Sequence, residues 1–568
     1  MKIQKKRSLN LLKWIGLIFL GLFLLLSLAA LYLSQRWKPL LREKIIAGVQ
    51  EASGGLYHID FRDMHLNLLR GSVTFDSLQL RPDTGVYQLL QSRYRAPVHL
   101  FSLRMANLKI SRIQLLKAYF HNELVLNTIS LNRPSIDMIY HKVRQQPDTA
   151  KAGKTLYELI SPTLKTIQAQ HIRISDADFD YYVEAKKRQA IQHLDINFRD
   201  ILIDSLSQYD STRVLYAKDI GFELKGYRST TKDNLYRLSV DTLNGSLNAR
   251  TLRLRHLKLQ PLYPDLSFSR KFATQKDRYD LHFPLIELQG IDFTRLSNEG
   301  TLYVRRLQLS DASVAVFLNR ELPPPPINKG RNYPHNALKR LPFNAIVDTL
   351  GLERVGLRYT EYNEQTRQKG TLRLENLGGH ILNVTNDSLR LSRNHEAHAQ
   401  LHTAIMGAAK LNIAIHFNLT AASAPFQYSG TVQPFNMTVL NPLSKPLGQI
   451  ALESGQVRRV QFDMQANEQG AKGKVQFTYS DLKVSLLKKD DAGKTTQKGL
   501  LSFLANTLLV KDQNPEPGKA PRTAHIQLDR VPQASFFNLL WKSIFLGIRE
   551  IAGIGIVPMK NPPSPKKM

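Results

Sequence analysis

The sequence contains no cysteine. That excludes a disulfide framework and every thiolate metal site, and it leaves the compartment open, since proteins on either side of a membrane do without cysteine. Acidic residues are in short supply as well, 47 against 78 Lys and Arg, which gives a formal net charge of +31. A chain this basic invites a nucleic-acid reading. Its Lys and Arg are scattered, however, and no zinc-finger, helix-turn-helix or aromatic RNA-binding signature accompanies them, so no nucleic-acid partner is expected. A solvated basic face, or attraction to anionic lipid headgroups, accounts for the charge instead.

Catalytic motifs are missing too. There is no phosphate-binding glycine loop, nucleophile elbow or zinc-protease helix, and "GIGI" (Gly553 to Ile556) follows no strand and is not a dinucleotide fingerprint. "HEAHAQLH" sets His395, His398 and His402 at spacings that a helix would gather round a metal. The surrounding pattern is strand and loop with no obvious acidic ligand nearby, so surface histidines are the simpler account. Asp176, Asp178 and Asp180 alternate in "SDADFDYY" and read as the solvated side of a strand whose inward residues are Ala177, Phe179 and Tyr181. The chain is not expected to be an enzyme, and no catalytic residue, metal or cofactor is expected.

Helical periodicity is also sparse, confined to short pieces such as "RIQLLKAYF" (Arg112 to Phe120) and "TLYELISPTLKTI" (Thr155 to Ile167), the latter interrupted by Pro162. What the chain has instead is alternation. At 42% hydrophobic and 22% charged it can bury a large apolar surface. In "ELVLNTISLNRPSIDMIY", Leu124 and Leu126, then Ile129 and Leu131, then Ile136, Met138 and Tyr140 are spaced to line one face of a sheet. The alternation slips by one residue between Leu126 and Ile129. A slip flips side chains unless a bulge absorbs it, so repeated slips suit a strongly bent sheet.

The pattern is duplicated. An offset of 178 carries Leu124, Leu126, Ile129 and Leu131 onto Leu302, Val304, Leu307 and Leu309, and carries Ile136 and Met138 onto Val314 and Val316. It persists past the following loop, taking Ile172, Ile174 and Phe179 to Leu350, Leu352 and Leu357, and Leu194 and Ile196 to Leu372 and Leu374. A period this long is a multi-strand unit copied once, not a small solenoid repeat. Further strands precede it in "HLNLLRGSVTFDSLQLRP", where Gly71 turns the chain between Leu66, Leu68 and Val73, Phe75. Others bridge the copies (Glu223 to Gln260) and follow them (Val457 to Leu487), while "PPPPINKGRNYP" (Pro323 to Pro334) and "KKDDAGKTTQKG" (Lys488 to Gly499) read as exposed loops.

One apolar run is long. "WIGLIFLGLFLLLSLAALYL" (Trp14 to Leu33) is uncharged, has about the length needed to span a bilayer as a helix, and has basic flanks. A cleaved signal peptide is the competing reading, with small residues in "SLA" (Ser27 to Ala29), although its apolar region would ordinarily be shorter. A short basic start stays inside and a long following domain crosses, which places the body of the chain outside the cytoplasm. "PLLREKIIAGVQEAS" then reads as an amphipathic helix on the membrane surface, with Leu41, Ile45 and Val49 on one side. At the other end, "SFFNLLWKSIFLGIREIAGIGI" puts Phe537, Leu540, Trp541, Ile544, Ile548 and Ile551 on one helical side, and its charges argue against a second span. This helix either caps the open end of the sheet or docks on a second membrane or an envelope partner.

The expected fold is mainly β. An N-terminal transmembrane helix precedes a long, strongly twisted antiparallel sheet that forms an elongated groove, with a few short helices and a C-terminal amphipathic helix. The expected segments are a basic cytoplasmic tail (1–13), the anchor (14–34), a juxtamembrane helix (35–55), the β-groove with the first copy (56–270) and the second (271–450), a C-terminal β region (451–532), the amphipathic helix (533–556) and a tail (557–568). A one-faced sheet with few helices to cover it must close on itself, stack on a second sheet, or hold an apolar ligand. With a membrane anchor at one end, phospholipid acyl chains are the ligand at hand, moving passively because no energy source is visible.

The basic N-terminal anchor followed by "GLYHIDFRDMHLNLLRGSVTFDSLQLRP" and "LVLNTISLNRPSIDMIY", with the glycine-punctuated "GAKGKVQFTYSDLKV" (Gly470 to Val484), resembles the AsmA-like proteins of double-membraned bacteria. The resemblance covers most of the chain through degenerate patterns. It implies an inner-membrane anchor, a periplasmic repeating β-groove, and a part in phospholipid transport and outer-membrane maintenance. An anchored tether or assembly factor that carries no lipid is the alternative.

Overall fold

A computed structural model describes residues 38–51, 53–142, 164–184, 186–210, 216–487 and 510–553, with a few isolated positions between them. The expected anchor at 14–34, most of "TLYELISPTLKTI", the loop at 488–499 and the tail at 557–568 lie outside the described residues. Among the described residues no helix is long and apolar enough to cross a membrane.

The chain is mainly β, with one large, mostly antiparallel sheet and a few short helices. Contacts divide it into two units, Met1–Tyr227 with Leu243–Ala249, and Arg228–Thr242 with Arg250–Met568. The first series of strands is β1 (Tyr57–Asp60), β2 (Asp63–Asn67), β3 (Ser72–Pro82), β4 (His99–Ser111), β5 (Glu123–Asn132), β6 (Ser135–Tyr140), β7 (Thr166–Val183), β8 (Lys186–Ile203) and β9 (Ala217–Thr230). The second is β10 (Tyr236–Ser246), β11 (Thr251–Pro261), β12 (Arg278–Gln289), β13 (Leu302–Ser310), β14 (Ser313–Asn319), β15 (Ala345–Asn363), β16 (Gln368–Thr385) and β17 (Glu396–Ile405). The remainder are β18 (Ala409–Asn418), β19 (Phe426–Val432), β20 (Phe435–Asn436), β21 (Ile450–Ala466), β22 (Gly470–Leu486), β23 (Asn506–Thr507) and β24 (Thr523–Asp529).

The two series pair in equivalent register. Leu124 faces Ile167 and Leu131 faces Ile174; 178 residues on, Leu302 faces Ala345 and Leu309 faces Leu352. Ser135 with Asp178 becomes Ser313 with Gly356, and Ile110 with Ile129 becomes Leu288 with Leu307. Backbone conformation repeats as well. Asn122, Arg133 and Asp176 have positive φ, and so do Gly300, Asp311 and Arg354, each 178 further along. Left-handed residues other than glycine are uncommon, so this coincidence marks a duplicated backbone and not merely a shared alternation. The helices Leu115–His121 and Phe293–Glu299 correspond residue for residue.

One equivalence needs correction. Leu194 pairs with Ala177, but the partner of Val355 is Leu377, not Leu372. From β8 to β16 the offset is therefore 183, and His193 and Asp200, both with positive φ, match Asn376 and Asn383 at that spacing. The turn between β15 and β16 has absorbed the extra residues, as hairpin loops do.

The sheet is not wholly antiparallel. β5 and β6 are two lengths of one broken strand, both antiparallel to β4 on one side and parallel to β7 on the other. β13 and β14 repeat this arrangement with β12 and β15. Alternation alone carries no strand direction, which is why the parallel joints are invisible in the sequence.

The slips line up across neighbouring strands. Leu126 lies beside Ala169 and, beyond it, Ile201, and Ile129 lies beside Ile172 and, beyond it, Phe198, so β5, β7 and β8 change phase at the same level. Residues on both sides of the slip consequently pack in one cluster around Leu126, Ala169, Ile201, Ala217 and Ile220.

The helix at 38–51 departs from expectation. Leu41 and Ile45 pack on the cluster of Phe61, Met64, Phe75, Leu78 and Met105, so this side covers one end of the sheet instead of lying on a membrane. The segment from Pro323 to Pro334 is only partly an exposed loop, because Gly330 and Tyr333 are buried and Arg530 donates hydrogen bonds to Asn328 and to the Glu468 carbonyl.

Candidate functional site: the apolar face of the repeated sheet

Each copy builds its apolar face from the same ingredients. In the first, Val73 and Phe75 on β3 meet Ile110 and Leu108 on β4, with Leu131 packed nearby. Leu66 pairs with Val73, whereas Leu68 falls in the turn beyond β2, where its carbonyl accepts from Gly71 N–H. Leu124, Leu126, Ile129 and Ile172 join one cluster. The left-handed residues Arg133 and Asp176 then reset the alternation, so that Ile136 sits between Leu103 and Phe179, and Met138 between Phe101 and Tyr181. Ile174 lies between Leu131 and Ile196.

In the second copy Leu302, Leu307 and Leu350 pack round Val304, Val347 and Ile291. Leu309 pairs with Leu352, Val314 lies between Leu281 and Leu357, and Val316 lies between Tyr279 and Tyr359. Burial raises the Tyr279 phenol to about 12 and also raises that of Tyr359, so both stay neutral across the physiological range.

Burial separates these residues into two kinds. Phe75, Leu126 and Val304 are buried core. All the other expected lining residues, in both copies, are half-buried. Each copy therefore has an apolar face with a thin fully buried line and broad, partly accessible flanks.

The strands that follow β16 are different. β17 to β19, β21, β22 and β24 direct alternate residues into one large core, including Ile415, Phe426, Tyr428, Phe462, Met464, Val475, Phe477 and Ile526, most of them fully buried. The C-terminal helix, Phe536–Ala552, fills this face with Phe536, Leu539, Leu540, Ser543, Gly547, Ile551 and Ala552. Ser535 caps it by accepting from the Asn538 N–H, and Gly553 closes it in the left-handed conformation. The helix can lie this close because residue 547 is glycine. A Cβ there would stand 2.5 Å from Val475 Cβ. The expected docking stripe is thereby split: Leu540 and Ile551 are buried inward, Ile544 and Ile548 are half-buried against the core, and Phe537 and Trp541 are exposed. Lys542 is held below the usual lysine range by burial, with Arg320 adding to the effect.

The opposite face of the sheet is polar. Asp178 is exposed there and Asp180 pairs with Lys187, while Asp176 occupies the bulge and accepts from His193 Nδ1 at 2.6 Å. The three histidines of "HEAHAQLH" do not converge. They lie on strand or loop, and His402, four residues along β17 from His398, pairs with Asn412. His398 instead meets His416 across β18, Nδ1 to Nδ1 at 3.1 Å, with Glu396 Oε2 3.5 Å from His398 Nε2. Among the described residues this trio is the one group whose ligand atoms lie close enough together to hold a metal, within 4.8 Å of one another. Sequence reasoning passed over Glu396, which sits inside the motif, and had no way to place His416 opposite it. It also missed Gly547, although a glycine in the middle of an amphipathic helix is itself a sign of close packing.

No protein-family model matches the chain, and no curated protein is significantly similar to it.

Proposed function

We propose that the chain is an inner-membrane-anchored, periplasmic AsmA-like protein that passes phospholipid passively along its apolar face, between the inner and outer membranes, and so contributes to outer-membrane lipid homeostasis. The observation that carries this reading is the repeated, half-buried face. Ile129, Ile136, Met138, Ile172 and Phe179, and their counterparts Leu307, Val314, Val316, Leu350 and Leu357, are each too accessible for closed core and too apolar for a wet surface. An acyl chain costs about 0.8 kcal/mol per CH₂ to expose to water, and sliding along such a face avoids that cost.

A second reading, an anchored tether or assembly factor, draws on the C-terminal strands. Their apolar face is already filled by the helix Phe536–Ala552, which leaves no seat for lipid there.

Native mass spectrometry of the full chain in mild detergent, with lipid extraction, separates the two. Met138→Lys and Val316→Lys place charge on half-buried positions, whereas lysine at Leu126 or Val304 would sit in core and disturb folding. Phospholipid bound in fixed stoichiometry, and lost in the folded Met138 and Val316 variants, supports transfer. A folded, lipid-free protein places the tether reading first.

A further inference from the structure

The first copy carries a cluster of exposed apolar side chains that the second copy lacks. The helix Leu115–His121 buries none of its residues, and Leu116, Tyr119 and Phe120 are 74%, 74% and 69% exposed. Next to it is the β2–β3 turn, where Leu69 is 59% exposed. Turn and helix are tied together at Gly71, whose carbonyl accepts from the Ile113 N–H at 2.7 Å. Gly71 has positive φ, and a Cβ there would stand 2.4 Å from the Ile113 carbonyl oxygen, so only glycine permits this approach.

Scattered exposed apolar residues need no explanation. Leu116, Tyr119 and Phe120 share one side of a helix that the Gly71–Ile113 hydrogen bond ties to the turn of Leu69, and the duplication supplies a control. Gly71 and Arg250, both left-handed, accept from the N–H of Ile113 and of Ile291, so the turn before β3 matches the turn before β11 at an offset of 179; the second copy has Asn248 for Leu69 there and, at 178, Thr294 for Leu116, Ser297 for Tyr119 and Asn298 for Phe120. Its helix also carries the ion pair Arg295–Glu299, where the first copy has Lys117 and His121. The same backbone is thus built with a polar end once and an apolar, aromatic end once, and no carboxylate lies between Arg112 and His121.

The helix at 38–51 begins beside the start of β2. Lys38 Nζ is 3.3 Å from Asp63 on β2, and the helix runs from there to Gln50, which meets His58 on β1. β2 leads from Asp63 to the turn that carries Leu69. Followed back from Gln50 to Lys38, the axis of this helix points along β2 towards the turn of Leu69, and in the sequence the uncharged run from Trp14 to Leu33 ends only a few residues before Lys38.

We infer that Leu69, Leu116, Tyr119 and Phe120 embed in the surface of the bilayer entered by the N-terminal anchor, with Arg70, Arg112 and Lys117 against anionic headgroups. Leucine with tyrosine and phenylalanine beside basic residues is the chemistry of a bilayer interface. The inference rests on the anchor reading and adds to it. It seats the apolar, aromatic end of the first copy in lipid, an end for which the second copy has polar residues.

The absence of cysteine makes the test clean, because single cysteines can be introduced without removing any. Full-length chain carrying Leu69→Cys, Leu116→Cys or Phe120→Cys is labelled with an environment-sensitive fluorophore. It is reconstituted in vesicles of phosphatidylethanolamine and phosphatidylglycerol, with Asn248→Cys as the water control and Leu24→Cys as the anchor control. The three test labels should shift to the blue and lose most of their emission to nitroxide-bearing lipid, while the Asn248 label responds only to aqueous iodide. A lipid-quenched Leu24 label with water-exposed test labels overturns the inference and leaves the anchor reading intact. Test labels that neither quencher reaches indicate a protein contact and also overturn it. Quenched test labels with an unquenched Leu24 label uphold the seat and remove the anchor.

Discussion

The hydroxyl of Tyr428, on the inner face of β19, lies 2.5 Å from that of Ser543 in the C-terminal helix, and both residues are buried. Ser543 donates to the Leu540 carbonyl at 2.8 Å, so the proton between the two hydroxyls comes from Tyr428. Burial holds that phenol neutral, raised to about 12. The two ends of this bond are therefore unequal. Tyr428→Phe leaves Ser543 its Leu540 partner and should cost about 1 kcal/mol, whereas Ser543→Ala strands a buried phenol and should cost about 1–3 kcal/mol. Chemical denaturation of the two variants checks the order, and a costlier Tyr428→Phe would reverse the assigned proton.

Gly547→Val should displace the C-terminal helix. The added side chain meets Val475 in a fully buried core, and overpacking of this kind costs about 1–3 kcal/mol. A lowered melting temperature with newly exposed apolar surface, seen as dye binding, is the expected outcome. Unchanged melting would show that the helix is not held at this point.

His335 makes the second unit sensitive to acid. Its ring is buried among Phe417, Phe426 and Tyr333, Nε2 donates to the Ala424 carbonyl, and Nδ1 has no partner. Burial lowers its pKa, and Lys339 adds to the lowering while Glu468 opposes it. The unfolded chain takes the proton first, so stability should fall as pH drops below about 6.5 and level off beneath the folded value. A melting-temperature series from pH 8 to pH 5 reads this directly, and His335→Gln should flatten that part of the curve.

His193 has the opposite sign. Its exposed ring donates to Asp176, which raises its pKa, with Asp178 and Asp195 contributing. Its stabilising contribution is complete below about pH 6.5 and is lost as pH rises through the raised folded value. A ring titration by NMR should have its midpoint above that of a free histidine and move down in Asp176→Asn.

Much of this architecture could be read from the chain because alternation is a local signal. The spacing that carries Leu124 to Leu302 is the spacing at which their strands pair, and the short helix after Arg112 is where periodicity puts it. Three features escaped for physical reasons. A longer turn between β15 and β16 moves the register without touching the pattern, so Leu372 and Leu377 look equally good as partners of the second copy. The amphipathic stripes at Leu41 and at Leu540 announce that something will cover them, but not whether it is lipid or the chain's own sheet. Whether an apolar residue is core, like Leu126, or half-open, like Ile129, depends on neighbours brought from far along the chain.

The broken strand formed by β5 and β6 has a consequence for how each copy assembles. An antiparallel hairpin such as β7–β8 starts at its turn and closes outward, each pair making the next one easier. The parallel joint has no such starting point. Leu124 with Ile167 and Ser135 with Asp178 span the same stretch of chain, 43 residues, and so does Leu302 with Ala345 in the second copy. Every contact in the joint needs the same loop to be closed first, and none is a short-range seed for the others. Each copy is in this sense two hairpin-rich halves sewn along one seam that forms late and as a whole, and the duplication has put one such seam in each copy.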